Sequence, residues 1–299
     1  MTSPSHQQGD IAPVAGILFM LAASAMFVAS DSLAKFMSAS FVVVQILWAR
    51  YTFHLIYLTL LTKPRDYRRL IATGAGGLQF VRSFSILASS VCFYIALKHV
   101  PLATAAAVSF TWPLVVTALS VPLLGERVGF RRWMAVVVGF GGSLIVIRPG
   151  FGFDHWAAFM PFGTALFYGI YQICTRKVSP VDSPQTSLFY TAALGTLVLN
   201  GVAPFYWHTP DATGWLMMLG LAVFSISGQY LIIRALAVTP AAVLAPYAYV
   251  YLVFAGLAGF AVFGDKLDGY TIVGSLIITG SGLFVFFRER LVAHQAGSR

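Results

Sequence analysis

Long apolar stretches alternate with short polar connections along the whole chain. A helix that crosses a bilayer needs about 20 consecutive, mainly apolar residues. Such stretches occur at 12–34, 41–62, 74–97, 101–123, 130–148, 155–175, 183–205, 212–235, 240–263 and 269–287. The pattern predicts an all-α integral membrane protein with ten transmembrane helices, called spans one to ten below. Residues 1–11 and 288–299 are predicted to be tails.

The composition excludes an ordinary soluble protein. Hydrophobic residues make up 58% of the 299 residues and charged residues 10%, whereas soluble domains are about half apolar and about a quarter charged. The first stretch lacks the basic segment that precedes the apolar core of a signal peptide, since Asp10 is the only charge before it. It is therefore predicted to be a span rather than a cleaved leader.

A repeat relates the two halves of the chain at a constant offset of 139 residues. The matching groups are Ala96-Leu97, Pro101 and Gly125-Glu126-Arg127 in the first half, and Ala235-Leu236, Pro240 and Gly264-Asp265-Lys266 in the second. The halves, 12–148 and 153–287, divide near the Pro- and Gly-containing segment 148–152. Because each half has an odd number of spans, the second is predicted to be inverted relative to the first, with a central cavity between them.

The basic residues behind the net charge of +9 are distributed unevenly between the two sides of the predicted membrane. If the N-terminus lies in the cytoplasm, 13 of the 19 Lys and Arg residues fall in cytoplasmic segments, 4 in outer loops and 2 within spans. This bias predicts that both termini are cytoplasmic. The basic charge then faces anionic lipid, and no basic stripe or motif favours nucleic-acid binding.

The chain offers little for catalysis, metal or cofactor binding. Cys92 and Cys174 lie in apolar spans without neighbours at metal-ligand spacing. The phosphate-binding sequence of ATPases is absent, which excludes direct ATP use by this chain. No catalytic residue, metal or cofactor is predicted, and an intramembrane enzyme stays a remote alternative. A channel would need a charged ring or a filter-like loop, which the sequence lacks.

Several segments resemble a known family. They are the turn Ala96-Leu97-Lys98-His99-Val100-Pro101-Leu102-Ala103, the helix end Leu124-Gly125-Glu126-Arg127, Arg82 and Tyr168-Gly169. The chain resembles the EamA domain of the drug/metabolite transporter superfamily, and within it the amino-acid exporters of the YddG type. The second half departs conservatively, with Gly-Asp-Lys in place of Gly-Glu-Arg. The resemblance implies two five-span repeats, transport of a small molecule and location in the bacterial cytoplasmic (inner) membrane.

Charged and amide side chains within spans are the first candidates for substrate contact. Arg50 in span two and Arg82 in span three are costly to place in a membrane. Each can attract an anionic group of a substrate, or can bind backbone carbonyls and hold the bundle together. Gln79 in span three and Gln229 in span eight lie on polar stripes at helical spacing. Cavity lining and interhelical hydrogen bonding remain alternatives for both glutamines.

Spans four and nine each contain a proline at an inner position, Pro113 and Pro246. Interrupted helices at corresponding positions of two repeats indicate a site near the bilayer midplane, so both prolines are hinge candidates. The aromatic candidates for the cavity are Trp112 in span four, Tyr168 and Tyr171 in span six, and Tyr247 and Tyr251 in span nine. Core packing is the alternative for all of them.

Two groups within the spans can titrate, Asp31 in span one and His54 in span two. Asp31 can reach the cavity or can pair with Lys35 one helical turn later. Small-residue runs in spans five and ten permit close packing or a weak homodimer, which transport does not require.

Together these features predict a secondary transporter that exports amino acids, aromatic or neutral, or similar small metabolites by alternating access. Efflux of drugs or of other metabolites is the alternative. The substrate and the lipid bilayer are the expected partners.

Overall fold

The computed structural model describes residues 8–126, 128–148, 156–266 and 268–297. These residues form helices and contain no strand. The helices are α1 Gln8–Met37, α2 Val43–Leu61, α3 Tyr67–Ile71, α4 Gly76–His99, α5 Leu102–Ser109, α6 Trp112–Leu124, α7 Phe130–Ile147, α8 Met160–Val178, α9 Pro184–Val202, α10 Ala212–Val238, α11 Ala241–Ala248, α12 Val250–Phe263 and α13 Gly269–Gly297. Short 3-10 turns lie at Pro64–Asp66, Trp156–Phe159 and Ala203–Tyr206. The predicted division between the halves and Arg127 fall outside the described residues.

Nine helical segments of the described chain are long and apolar enough to cross a membrane, which confirms an integral membrane protein. The predicted span 41–62 forms α2 but is not one of the nine, because Gln45, Arg50 and His54 make it less apolar. Spans four and nine each consist of two helices, α5 with α6 and α11 with α12. The total of ten spans stays a prediction.

The two ends of the helix bundle differ in their connections. One end, called the basic end below, contains the loop 62–75 with α3, the helix end at Gly125 and the connection between α8 and α9. The other end, called the opposite end, contains the C-terminal ends of α1 and α12 and the segment 203–211. The short helix α3 was not predicted. The predicted tail 288–299 also differs, since α13 continues to Gly297. The sequence there is rich in residues that favour helices, and charge ends a membrane span without ending a helix.

The repeated glycines terminate equivalent helices. Gly125 ends α6 with φ 69°, and Gly264 ends α12 with φ 66°, both in the left-handed region that glycine tolerates. The amide of Glu126 donates to Ser120 and that of Asp265 to Gly259, as in a Schellman cap. Each acid therefore leaves its helix in the same direction relative to the cap.

The repeated prolines form equivalent turns between helices. Pro101 precedes α5 and Pro240 precedes α11. The residue before each proline, Val100 or Thr239, is extended, as proline requires. Its amide still donates to the carbonyl of Ala96 or Ala235, so the preceding helix ends on a complete turn. The repeat in sequence thus encodes a repeated helix–turn–helix geometry.

Helix packing brings the two halves together. α1 packs on α10, α4 on α8, α2 on α9, and α7 on α13. The small-residue runs of spans five and ten lie in the last of these contacts. Gly139 abuts Leu114, and Gly142 abuts Ile277 and the carbonyl of Gly274. These glycines therefore serve close packing within the chain.

Candidate functional site

The interrupted helices place aromatic rings inside the bundle. α5 ends at Ser109 and α6 begins at Trp112, while α11 ends at Ala248 and α12 begins at Val250. Phe110 at the first break lies 5.5 Å from Tyr249 and stacks on Tyr251 at 5.3 Å, between ring centroids. Both breaks therefore meet through their aromatic side chains. Phe110 was not a predicted site residue, although it aligns with Tyr249 at the offset of the repeat.

The two predicted hinge prolines lie beside these breaks but differ in position. Pro113 is in the first turn of α6, where proline is well tolerated because that amide has no helical acceptor. Pro246 lies inside α11, two residues before its end. Their hinge role stays a prediction.

Arg50 lies in α2, partly buried between the two halves. Its Nε donates to the hydroxyl of Ser225 at 3.1 Å, and its Nη1 donates to the hydroxyl of Tyr94 at 3.0 Å. Tyr94 is 2% exposed, so this arginine is held against the protein interior. Nη2 makes no hydrogen bond to any described residue. One donor group of the guanidinium is thus without a hydrogen-bond partner among the described residues.

Asp31 lies in α1 and is 7% exposed. Its Oδ2 accepts a hydrogen bond from the hydroxyl of Tyr251 at 2.6 Å. The alternative that Asp31 pairs with Lys35 is wrong, because Lys35 instead binds Asp265 with an Nζ–Oδ2 distance of 2.7 Å. Tyr251 therefore links the acid to the stacked aromatic rings.

Arg82 is 3% exposed, and its donors are occupied by protein groups. It donates to the hydroxyls of Thr175, Thr191 and Tyr171 and to the carbonyl of Ser187, at 2.8–3.0 Å. The guanidinium also lies over the ring of Tyr171, 4.6 Å from its centroid. These contacts join α4 to α8 and α9. In this geometry Arg82 links three helices.

Gln79 lies one turn before Arg82 and is fully buried. Its Nε2 donates to Asp182 at 2.8 Å and to Ser187 at 3.0 Å. Asp182 also accepts hydrogen bonds from Thr73 and from the amide of Gly74. Burial raises the pKa of Asp182, but these hydrogen bonds outweigh it and hold the pKa below its usual range. Asp182 was not predicted as a partner, because nothing in the sequence relates it to α4.

A chain of aromatic rings connects Arg82 to the break in span four. Trp112 contacts Tyr168 edge to face at 5.2 Å, and Tyr168 lies 5.4 Å from Tyr171, between ring centroids. Tyr171 in turn carries the guanidinium of Arg82. These aromatic candidates of spans four and six therefore lie together.

The remaining candidates are less tightly connected. Gln229 and Tyr247 are partly buried, in α10 and α11. His54 is partly buried one turn after Arg50 and interacts electrostatically with it. Tyr94, which holds Arg50, was missed as a site residue because a lone tyrosine in an apolar helix carries no distinguishing signal. Ser225, which also holds Arg50, lies on the polar stripe of span eight one turn before Gln229, but it was not itself predicted as a site residue.

Two surface cavities of the described chain lie away from these residues. One, of about 400 Å³, is at the opposite end and is lined by Trp48, Asn200, Ala203, Pro204 and Trp207. Trp207 and Trp215 both contact Trp48 edge to face. The other, of about 590 Å³, is almost entirely apolar and lies between α1, α10 and α12.

The comparisons with known proteins cover nearly the whole chain. The model of the EamA-like transporter family matches residues 14–148 and again 155–287. A riboflavin transporter of Vibrio cholerae is 30% identical, over 91% of this chain and 93% of its own. An S-adenosylmethionine uptake transporter of Rickettsia prowazekii is 29% identical over 64% of this chain and 65% of its own. A pseudopaline exporter of Pseudomonas aeruginosa is 26% identical over 88% of this chain and 93% of its own.

A solved crystal structure shares the fold. It superimposes with a TM-score of 0.60 and 17% identity, covering 94% of this chain and 98% of the other. The three named relatives are transporters of different small molecules, and none of these three is named as an amino-acid exporter.

Proposed function

The chain belongs to the EamA-like transporter family and is a membrane transporter of the drug/metabolite type; from that premise we propose that it exports amino acids, aromatic or neutral, or similar small metabolites by alternating access. Family membership supports a transporter over an intramembrane enzyme, because the matched relatives are named transporters. Two observations carry the proposal: Arg50 is a partly buried guanidinium with one donor that no described residue occupies, and aromatic rings from the two interrupted helices meet inside the bundle.

Alternating access requires two halves that can exchange roles, and the two ends of the bundle offer matching contacts. At the opposite end, Lys35 of α1 pairs with Asp265, which follows the cap of α12. At the basic end, Arg176 of α8 pairs with Glu126, which follows the cap of α6, at 2.8 Å. Because α8 is the counterpart of α1 and α6 that of α12, the two ion pairs join equivalent helices. The basic residues differ by one position, since Lys177 is the counterpart of Lys35 and donates to the carbonyl of Leu123. This supports two inverted repeats, 12–148 and 153–287.

The basic end is the cytoplasmic side in this proposal, since Lys and Arg accumulate on cytoplasmic loops. Lys63, Arg65, Arg68 and Arg69 lie there in the connection between α2 and α4. Both termini are then cytoplasmic, and the protein resides in the bacterial cytoplasmic membrane. Relatives that are named as transporters of bacteria support this location.

The residues proposed to contact the substrate fall into two groups. Arg50 provides charge, while Trp112, Tyr168, Tyr171, Tyr247 and Tyr251 provide apolar and aromatic surface, with Gln229 as a polar contact. Gln79 and Arg82 have their donors occupied by protein, so in this conformation they position α8 and α9. Pro113 and Pro246 are the proposed hinges beside the breaks.

The alternative substrates follow from the relatives. Riboflavin contains an aromatic ring system, and S-adenosylmethionine contains both an aromatic base and an amino-acid group. The stacked rings of Phe110 and Tyr251 suit either of them. Efflux of apolar drugs is a second alternative, favoured by the same aromatic surface.

A competition panel in proteoliposomes tests the proposal. Uptake of labelled L-phenylalanine and L-tryptophan is measured with the intact chain and challenged with riboflavin, S-adenosylmethionine and a neutral hydrophobic drug. We expect competition among amino acids and a loss of flux of about tenfold or more in Trp112→Ala and Tyr251→Ala, since aromatic and hydrogen-bond contacts are removed. The proposed site is wrong if both variants transport normally. Competition by the drug but not by amino acids would indicate multidrug efflux.

A further inference from the structure

Two opposite charges lie near each other in the bundle without forming an ion pair. Asp31 of α1 and Arg50 of α2 both lie beside one turn of α10, since Ser30 donates to the carbonyl of Leu221 and Arg50 donates to the hydroxyl of Ser225. The ion pairs of the described residues are instead Lys35–Asp265, Arg148–Asp268 and Arg176–Glu126. A charge within a membrane span is costly unless it is paired or reaches water. Asp31 and Arg50 are therefore each incompletely neutralised.

Both groups are held in place by tyrosine. Tyr251 donates to Oδ2 of Asp31, and Tyr94 accepts from Nη1 of Arg50. Oδ1 of Asp31 and Nη2 of Arg50 make no hydrogen bond to any described residue. Neither atom is among the fully enclosed polar atoms that lack a partner. One acceptor and one donor of opposite charge thus remain without a hydrogen-bond partner among the described residues.

A surface of aromatic rings lies beside Asp31. The ring of Tyr251, whose hydroxyl holds Asp31, stacks on Phe110 at a centroid distance of 5.3 Å, and Phe110 contacts Tyr249 at 5.5 Å. A ligand that binds at the two charges therefore finds a ring surface beside them. Such a surface suits an apolar or aromatic side chain.

We propose that Asp31 and Arg50 form a two-point subsite for a zwitterion, with Oδ1 of Asp31 binding the ammonium group and Nη2 of Arg50 binding the carboxylate. This assignment rests on the proposed function and adds Asp31 as the residue that selects for a free amine. A ligand with both charges neutralises both protein charges at once, whereas an anion or a cation alone leaves one of them unpaired in a desolvated site. Tyr251 and Tyr94 act as positioning residues.

The test measures how analogues of phenylalanine inhibit uptake of labelled L-phenylalanine into proteoliposomes. 3-Phenylpropionate lacks the ammonium group, and phenethylamine lacks the carboxylate. With the wild-type chain we expect each analogue to inhibit about 10- to 100-fold more weakly than unlabelled phenylalanine, because one charge-assisted contact is lost and its protein partner stays unpaired.

Variants separate the two contacts. Asp31→Asn should weaken inhibition by phenylalanine and phenethylamine and leave that by 3-phenylpropionate unchanged. Arg50→Gln should weaken inhibition by phenylalanine and by 3-phenylpropionate and leave inhibition by phenethylamine unchanged. Ser32→Ala is the matched control, since Ser32 neighbours Asp31 and its hydroxyl makes no hydrogen bond to a described residue. Tyr251→Phe keeps the ring and removes the hydroxyl, and it should reduce selectivity for the amine partially.

The possible failures are distinguishable. If 3-phenylpropionate inhibits the wild-type chain as well as phenylalanine does, the ammonium subsite is wrong while the proposed function stands. The same conclusion follows if Asp31→Asn only abolishes the response of uptake to a pH gradient, since Asp31 would then carry a proton. If neither phenylalanine nor tryptophan is transported, the proposed function falls and this inference with it. The wild-type panel decides the matter even where a variant does not fold.

Discussion

Replacing Lys35 by methionine should open the end of the bundle opposite the basic loops. Lys35 and Asp265 join α1 to the end of α12 with an Nζ–Oδ2 distance of 2.7 Å. Asp265 also accepts the amide of Leu102 at 3.3 Å, at the start of α5, so the acid holds two helices. Methionine preserves the length and the apolar stem of lysine. The substitution therefore removes the charge with little loss of packing.

The size of the effect follows from burial. Removing one partner of a buried ion pair costs about 3–5 kcal/mol, while exposed pairs contribute about 0–1 kcal/mol. The side chains of Lys35 and Asp265 are 13% and 19% exposed, which places this pair between the two cases. A cost of about 2 kcal/mol to the closed state corresponds to a change of about 30-fold in the ratio of closed to open molecules.

Electron–electron distance measurements between spin labels report this ratio. In a chain with Cys92→Ala and Cys174→Ala, labels at Ala39→Cys and Lys266→Cys flank the opposite end, and both positions are exposed. Labels at Arg131→Cys and Ser179→Cys flank the basic end. Lys35→Met should lengthen the first distance and leave the second unchanged or shorter.

The related ion pair provides the matched comparison. The side chains of Arg176 and Glu126 are 67% and 32% exposed. Glu126→Gln should therefore change the ratio of closed to open molecules at the basic end by about fivefold at most. The exchange Lys35→Asp with Asp265→Lys should restore closure only partly, because lysine cannot accept the amide of Leu102. Unchanged distances at the opposite end in Lys35→Met would refute the role of this pair in closure, as would a lengthening confined to the basic end.

Three further outcomes are expected. Arg82→Ala should lower the free energy of unfolding of the purified chain by about 3 kcal/mol. Arg82→Lys should be destabilised as well, because lysine lacks the planar fork that reaches α8 and α9. Equal melting temperatures of wild type and variants would contradict this. The hydrogen bonds that lower the pKa of Asp182 stabilise the fold at pH above about 3.9, the usual value of an unfolded aspartate, and this stabilisation is lost as pH falls through the lower folded pKa. The melting temperatures of wild type and Asp182→Asn should therefore differ at neutral pH and converge at low pH. A difference between the two proteins that is the same at every pH would exclude the explanation. Gly282→Ala should place a methyl group against the hydroxyl of Tyr249 and destabilise by roughly 1–3 kcal/mol, whereas Gly280→Ala, which meets no neighbour within 4 Å, should be neutral; similar effects of both would contradict the packing.

The repeat in the sequence predicted more of the structure than any single residue did. Gly125 and Gly264 recur because each ends a helix with positive φ, and Pro101 and Pro240 recur because each begins a helix after an extended residue. These features depend on local backbone geometry, which a short sequence motif specifies. Apolar length likewise predicted the positions of the spans to within a few residues.

Contacts between distant segments were not predictable in the same way. Lys35 lies one turn from Asp31, yet it pairs with Asp265, 230 residues away, because the packing of α1 on α12 brings that acid closer. Arg82 and Gln79 were candidates for substrate contact by composition, and the structure surrounds them with hydroxyls and a carbonyl from α8 and α9. Partner choice in the interior follows from tertiary packing, which periodicity does not encode.

Counterflow most directly tests the claim that one central site is exposed alternately to the two sides of the membrane. Proteoliposomes that contain the purified chain are loaded with unlabelled L-phenylalanine and diluted into a trace of labelled L-phenylalanine. A carrier predicts a transient internal accumulation of label above its equilibrium level, and Arg50→Gln should reduce that accumulation strongly. Label that only equilibrates, without a transient excess and without dependence on internal phenylalanine, would contradict the account.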